Sequence, residues 1–212
     1  MVKNSKYSFS FTGASALITE TMVVAEEYHR LKDWKAVEKS LVDNNLLNKV
    51  KQATFKREFN EIKKRLSQLT QEQVQLMVQG SLDDAKTMVL LSLVKTYAYL
   101  KDFIIEVLRN KYLLFDTNFS EIDYIKFYNS KSYSHPELTD ITELTAKKVK
   151  QRIFTFLEQV GLITDVKNGI ILKPMLNDET IKIILNDDPV LLNAFLFTNE
   201  EIKLQLQKLK HA

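Results

Sequence analysis

The 212 residues are 45% hydrophobic and 27% charged, with 30 Lys and Arg against 27 Asp and Glu and a formal net charge of +3. Four Gly and three Pro leave little room for turn-rich β architecture, and the absence of Cys excludes disulfides, thiolate metal sites and a Cys nucleophile. With charge so nearly balanced, any nucleic-acid argument rests on where the basic residues lie.

No apolar run approaches the ~18 residues of a membrane-spanning helix. The most apolar stretch, Met88-Val-Leu-Leu-Ser-Leu-Val94, meets Lys95 at once. Lys3 and Lys6 have no apolar core behind them that would make a signal peptide. The expectation is a cytoplasmic protein with no membrane segment.

In chain order, Tyr7, Phe9 and Phe11 alternate with small polar residues, which predicts an extended arm with one buried face, ended by Gly13. Ile18, Met22, Ala25 and Tyr28 have helical spacing. Asp33 caps a second helix through Trp34, Val37 and Leu41. A third runs from about Gln52 to Leu69, with Phe55, Phe59, Ile62, Leu66 and Leu69 as one apolar stripe. From Lys49 to Arg65, seven basic residues stand against Glu58 and Glu61, a local charge of +5 that exceeds the charge of the whole chain. A short helix, a turn and a longer helix with Lys and Arg near its start form a helix-turn-helix pattern.

Thr70 and Gln73 have capping-box spacing for a helix to about Gln79. After Gly80-Ser81, Asp83-Asp84 opens a long helix to Leu108, apolar around most of its circumference and expected at the centre of the molecule. Residues 112–119 form a connection and the expected domain boundary, giving domains 1–115 and 116–212. Ser120 caps a helix containing Tyr124 and Phe127, and His135-Pro136 opens a short one. From Thr142 a basic helix buries Val149, Ile153, Phe156, Leu157 and Val160, then meets Gly161. Residues 162–166 and 170–172 flank Asn168-Gly169, a strong hairpin signal. Helix followed by hairpin is the back half of a winged helix. Residues 177–185 and 189–197 are expected to be helical and to pack on the wing, whereas the tail from Glu200 has only a weak pattern. Thr54-Phe-Lys-Arg57 and Thr145-Ala-Lys-Lys148 form a local echo, each opening a basic helix.

Catalytic patterns are missing. His29, His135 and His211 are far apart, and there is no P-loop, GxGxxG, HExxH or GxSxG. The adjacent carboxylates Glu26-Glu27, Asp83-Asp84 and Asp187-Asp188 point about 100° apart on a helix and share no site by themselves. No catalytic residue, metal ligand, cofactor or small-molecule substrate is expected.

Tyr7-Ser-Phe-Ser-Phe-Thr-Gly13, Glu20, Val24-Ala25-Glu26, Trp34, Asn45-Leu-Leu47, Arg57, Glu61, Arg65-Leu66, Leu69-Thr70, His135-Pro-Glu-Leu138 and Gln159-Val-Gly-Leu162 occur in an order and spacing that resemble the BrxA family of BREX bacteriophage-defence systems. The resemblance spans Tyr7 to about Pro174. It implies a non-enzymatic cytoplasmic protein that binds double-stranded DNA among other BREX subunits, with an N-terminal helical part similar to the NusB fold and a C-terminal part similar to a winged helix. The expected class is thus mainly α: a NusB-like, helix-turn-helix-containing half, then a winged helix with a small β-hairpin.

On the residues themselves, the DNA contacts expected are Lys51, Lys56, Arg57, Asn60 and Lys64 on the first basic helix. Lys147, Lys148, Lys150 and Gln151 are expected on the second, and Lys167 and Asn168 at the wing tip. Competing readings are a merely solvated basic face, an adaptor that binds protein subunits or RNA, and, last, a hydrolase built from scattered carboxylates.

Overall fold

Side-chain caps mark where several helices begin. In the computed structural model, which describes residues 6–167 and 169–211, Asp33 Oδ1 accepts the Ala36 N–H at 2.7 Å. Thr70 and Gln73 form a reciprocal capping box, as do Ser120 and Asp123. Thr142 Oγ1 accepts the Thr145 N–H. Each such cap contributes about 1 kcal/mol by satisfying an orphan donor. The result is mainly helical.

The chain divides into two units. Residues 16–96 form one, from α1 (Ile18–Leu31), α2 (Trp34–Asp43), α3 (Gln52–Leu66), α4 (Gln71–Gln79) and α5 (Leu82–Thr96). α1 packs against the other four, and α4 lies on α5. The predicted stripe of α3 is buried at Phe55, Phe59, Ile62 and Leu66. The helix ends three residues earlier than its pattern, where the Ser67 hydroxyl turns back to the Lys63 carbonyl. Leu69 is accordingly only half-buried. Trp34 joins α2 to its neighbours, stacked on Tyr28 at 4.0 Å and edge-on to Phe59 at 6.3 Å.

The long central helix is interrupted. α5 is buried along most of its length, as its all-round apolar pattern requires. It stops at Tyr97, which has extended backbone (φ −123°, ψ 96°). Inside α5 the Ser92 hydroxyl bonds the Val89 carbonyl and the Thr96 hydroxyl bonds the Ser92 carbonyl. Such back-bonding competes with the helical ladder. Tyr97 then turns its ring into the core, 5.0 Å from Phe11.

The second unit joins the arm, from residue 6 to 15, with residues 97–211. Residues 97–115, which the sequence groups with the N-terminal half, therefore pack with the C-terminal half, because the chain changes unit at the helix break. The unit contains α6 (Ala98–Phe103), a π-helical turn (Ile104–Arg109), α7 (Asn110–Leu113), α8 (Glu121–Ser132), a 3-10 turn (Pro136–Leu138) and α9 (Glu143–Gln159). After them come α10 (Asp178–Asp187), a 3-10 segment (Pro189–Phe195) and α11 (Asn199–His211). Its core is aromatic: Phe103, Phe119, Tyr124, Phe127 and Phe154 meet edge-on or tilted, as in the Phe119–Phe154 pair at 4.9 Å. Such pairs contribute about 0.5–1.5 kcal/mol each beyond burial.

The predicted hairpin is short. Ile163 and Ile171 form an antiparallel bridge, flanked by Thr164 N–H to Ile170 O and Leu172 N–H to Leu162 O. A third segment, read from sequence as plain connection, lies on its other side: Asn118 bridges Ile170. Gly161 has φ +78° at the helix exit. Gly169 is required by close approach, since a Cβ there would sit 2.5 Å from the Asp165 carbonyl oxygen. The residues after the wing pack mainly on one another and on the turn Ile104–Arg109. Arg109 Nε donates to the Phe197 carbonyl at 2.7 Å. The weakly patterned tail is helical behind a reciprocal cap, in which Thr198 Oγ1 accepts the Glu201 N–H and the Glu201 carboxylate accepts from the Thr198 N–H and from Lys173.

Candidate nucleic-acid interface

α3 presents its charge unevenly. Lys51, Lys56, Arg57, Asn60 and Lys64 are exposed, as expected. Lys56, Asn60 and Lys64 repeat every four residues and line about 12 Å of one helix face. Three other basic residues of the +5 run are committed elsewhere. Lys49 is ion-paired with Glu20 and Glu58, both at 2.9 Å. These two carboxylates hold its ammonium above the ordinary lysine range. Lys63 lies over the Trp34 ring at 5.5 Å. Arg65 is fully buried, bound to Glu61 at 2.9 Å and donating to the Ala16 carbonyl at 3.1 Å. The outward charge of α3 is thus smaller than the count of its basic residues, and it is concentrated toward the N-terminus.

That N-terminus is open. Lys51 occupies the N-cap position with no side-chain cap, and no acid stands in the first turn. Unsatisfied N–H groups, the positive end of the helix dipole and an exposed ammonium meet there, which is the arrangement an anionic oxygen seeks. Arg57 is 59% exposed and only 4.0 Å from the Glu58 carboxylate. Lys51 and Lys56 have no ion-pair partner among the described residues.

α9 carries the echo in the same register, since Thr54 and Thr145 are each the third residue of their helix. Lys147, Lys148 and Gln151 therefore correspond to Lys56, Arg57 and Asn60. The electrostatics differ. Here the N-terminus is capped by Thr142 and followed by Glu143. Lys147 is paired with Glu143 at 2.7 Å. This contact lowers the carboxyl and raises the ammonium titration. Lys150, 27% exposed, is paired with Glu121 of α8. Lys148 and Gln151 are exposed.

Between α8 and α9, Tyr124, Ile125, Tyr128 and Ala146 line a cleft of about 160 Å³, with the two Lys–Glu pairs also in its wall. Burial pushes the Tyr124 phenol up to about 12. Ile122, Ile125 and Leu144 are exposed on the same two helices. At the wing tip Lys167 is exposed, its N–H donating to Asp165 Oδ1 at 2.7 Å. Asn168 lies outside the described residues.

The Lys147–Glu143 pair is legible as an i, i+4 spacing. No sequence signal announces the Lys150–Glu121 pair, which is tertiary. His135, which opens the short 3-10 turn Pro136–Leu138, is buried and stacked on Tyr7 at 3.8 Å. Among the described residues no group of three His, Asp or Glu is placed to hold a metal ion, and no helix is long and apolar enough to cross a membrane.

Comparison with known proteins points one way. The BrxA family model matches residues 5–188. A BREX protein BrxA of Bacillus cereus (strain H3081.97) is 24% identical over 185 residues, 86% of this chain and 92% of the relative. A BREX protein BrxA of Escherichia coli O9:H4 (strain HS) is 24% identical over 164 residues, 77% of each chain. The fold is similar to that of an uncharacterized protein from Magnetospirillum magneticum known from its crystal structure. That match has a TM-score of 0.78 and 19% identity, and covers 91% of this chain and 98% of that one.

Proposed function

Because the chain belongs to the BrxA family, we propose that it is a non-enzymatic, cytoplasmic component of a BREX phage-defence system that binds double-stranded DNA. The observation that carries this reading is the N-terminal half of α3. It joins an uncapped helix start to the exposed cations Lys51, Lys56 and Arg57, with no acid in the first turn. Phosphate oxygens meet the free N–H groups and Lys51. Lys56, Arg57 and Lys64 neutralise flanking phosphates, and Asn60 faces the base edges. In the other unit α8, α9 and the short hairpin act as a winged helix, with Lys148 and Gln151 foremost and Lys167 and Asn168 on the backbone. Lys147 and Lys150 join by exchanging a carboxylate for a phosphate. Phosphate contact dominates, so sequence preference is low. The N-terminal helices form the NusB-like part of this reading.

A gel-shift titration on unrelated duplexes tests it. Lys56→Glu/Arg57→Glu weakens binding at least about tenfold on every sequence, whereas reversal of Lys147, Lys148 and Lys150 weakens it less. Unchanged binding by the first variant refutes the reading.

A second reading has its own support. The apolar cleft between α8 and α9, with exposed Ile122, Ile125 and Leu144 beside it, favours an adaptor that docks other BREX subunits or RNA through the winged-helix and NusB-like parts. Single-stranded RNA that outcompetes duplex DNA favours this alternative.

A further inference from the structure

Tyr7 and the segment His135–Leu138 stand 128 or more residues apart in sequence and meet in the second unit. Tyr7 is 4% exposed. Its N–H donates to Glu137 Oε1 at 2.6 Å and its hydroxyl to Asp102 Oδ2 at 2.7 Å. Its ring stacks on His135 and meets Tyr99 edge-on at 5.0 Å. His135 Nδ1 lies 3.0 Å from the same Glu137 oxygen. Asp102 is shared with Lys131, which also binds Glu106. A tyrosine held by one carboxylate through its hydroxyl and by another through its backbone N–H is located in direction as well as depth.

The arm then runs to α9. Phe11, fully buried, packs on Phe156 at 5.7 Å, and the Thr12 carbonyl accepts from Arg152 Nη2 at 3.4 Å. The arm is thus anchored at the turn just before α9 and again at the middle of α9, through Phe156 on its buried face and through Arg152, one helical turn beyond Lys148. We infer that residues 7–12 are a brace that sets the position of α9, with Tyr7 as a positioning residue for the α9 side chains that meet the duplex. The DNA half of this statement rests on the proposed function above. A helix moves as a rigid rod over a few turns, so a shift at Arg152 and Phe156 carries Lys147 and Lys148 with it. Contacts displaced by about 1 Å lose most of their value when the supporting shell loosens.

The test uses the full chain with Tyr7→Ala, Tyr7→Phe and Glu137→Ala, read by hydrogen exchange and by the salt dependence of duplex binding. Tyr7→Ala and Glu137→Ala speed exchange in 143–159 about tenfold or more while 52–66 is unchanged. They also lower the log–log salt slope to that of a protein with Lys147, Lys148 and Lys150 changed to Gln. A smaller folded fraction alone weakens apparent binding without altering that slope. Tyr7→Phe keeps the stack and the backbone contact and stays near the parent. Unchanged α9 exchange in both Tyr7→Ala and Glu137→Ala overturns the brace, as does protection lost equally from every helix after residue 97. If the parent shows no salt-dependent duplex binding, the DNA reading falls, and exchange in 143–159 still decides the brace.

Discussion

Arg65 and Glu137 show how far a single side chain departs from the role its sequence position suggests. Arg65 sits in a basic run and reads as surface charge, yet it is fully buried and ties Glu61 to the Ala16 carbonyl. Ala16 leads into α1 through Leu17, whose φ of +54° is a left-handed conformation uncommon for a branched residue. Removing the guanidinium strands a buried carbonyl and weakens the hold on that entry. Arg65→Ala therefore destabilises the protein by roughly 3 kcal/mol or more in denaturant unfolding, and Arg65→Lys by less, because one ammonium does not reproduce the fork. Glu137 is the acid-sensitive counterpart. Burial pushes its carboxyl up, but the N–H groups of Tyr7 and of Glu137 itself, together with His135, outweigh burial and leave it below the usual range. A carboxyl depressed in the folded state adds stability above its unfolded value of about 4.3, and that stability is lost as pH falls through the folded value. The thermal midpoint of the parent thus drops on acidification below about pH 4, and Glu137→Gln flattens that part of the curve. Neither role is legible in sequence, since both depend on residues far along the chain that folding brings together.

At the scale of elements, sequence predicted starts better than continuations. The caps at Asp33, Thr70 and Ser120 are local, and all three form. The stripe of α3 was equally readable, because helical spacing and burial are two views of one geometry. The break at Tyr97 was hidden, since the apolar pattern runs through it unchanged and only the hydroxyls of Ser92 and Thr96 weaken the ladder. The third segment of the hairpin was hidden as well. Residues 117–119 are too short to alternate, and their pairing with 169–171 is set by the fold. The missing cap of α3 is the element-level feature on which the proposed function leans most. Lys51 has the extended backbone of an N-cap residue (φ −100°, ψ 121°) without the side chain for it. Lys51→Asp supplies an acceptor for the free N–H groups and an anion at the positive end of the dipole, and stabilises the protein by about 1 kcal/mol. The same change fills the phosphate seat with a carboxylate. Duplex binding falls while the unfolding midpoint rises, an opposition that a thermal melt and a gel shift on one protein sample reveal. A purely structural α3 would show the higher midpoint without the loss of binding.

For the whole molecule, net charge is a poor guide. The chain carries +3 overall, and the charge that the proposed duplex contact can use is set by which cations stay exposed after folding. On α3 the exposed cations are Lys51, Lys56, Arg57 and Lys64. In the second unit Lys148 and Lys167 are exposed, while Lys147 and Lys150 hold Glu143 and Glu121. Duplex binding releases counterions in proportion to the phosphates neutralised, with a log–log slope of about −0.9 per phosphate. Contact through α3 alone gives a slope of about −3.6, and engagement of all eight cations gives about −7. The paired lysines contribute less than free ones, because each exchanges one anion for another. The parent is therefore expected between these limits, near −5, in a fluorescence-anisotropy titration across salt. Glu121→Gln and Glu143→Gln release Lys150 and Lys147, so together they steepen the slope and tighten binding at low salt. If the double variant leaves both unchanged, α9 does not touch the duplex, and the cleft beside it belongs to a protein partner.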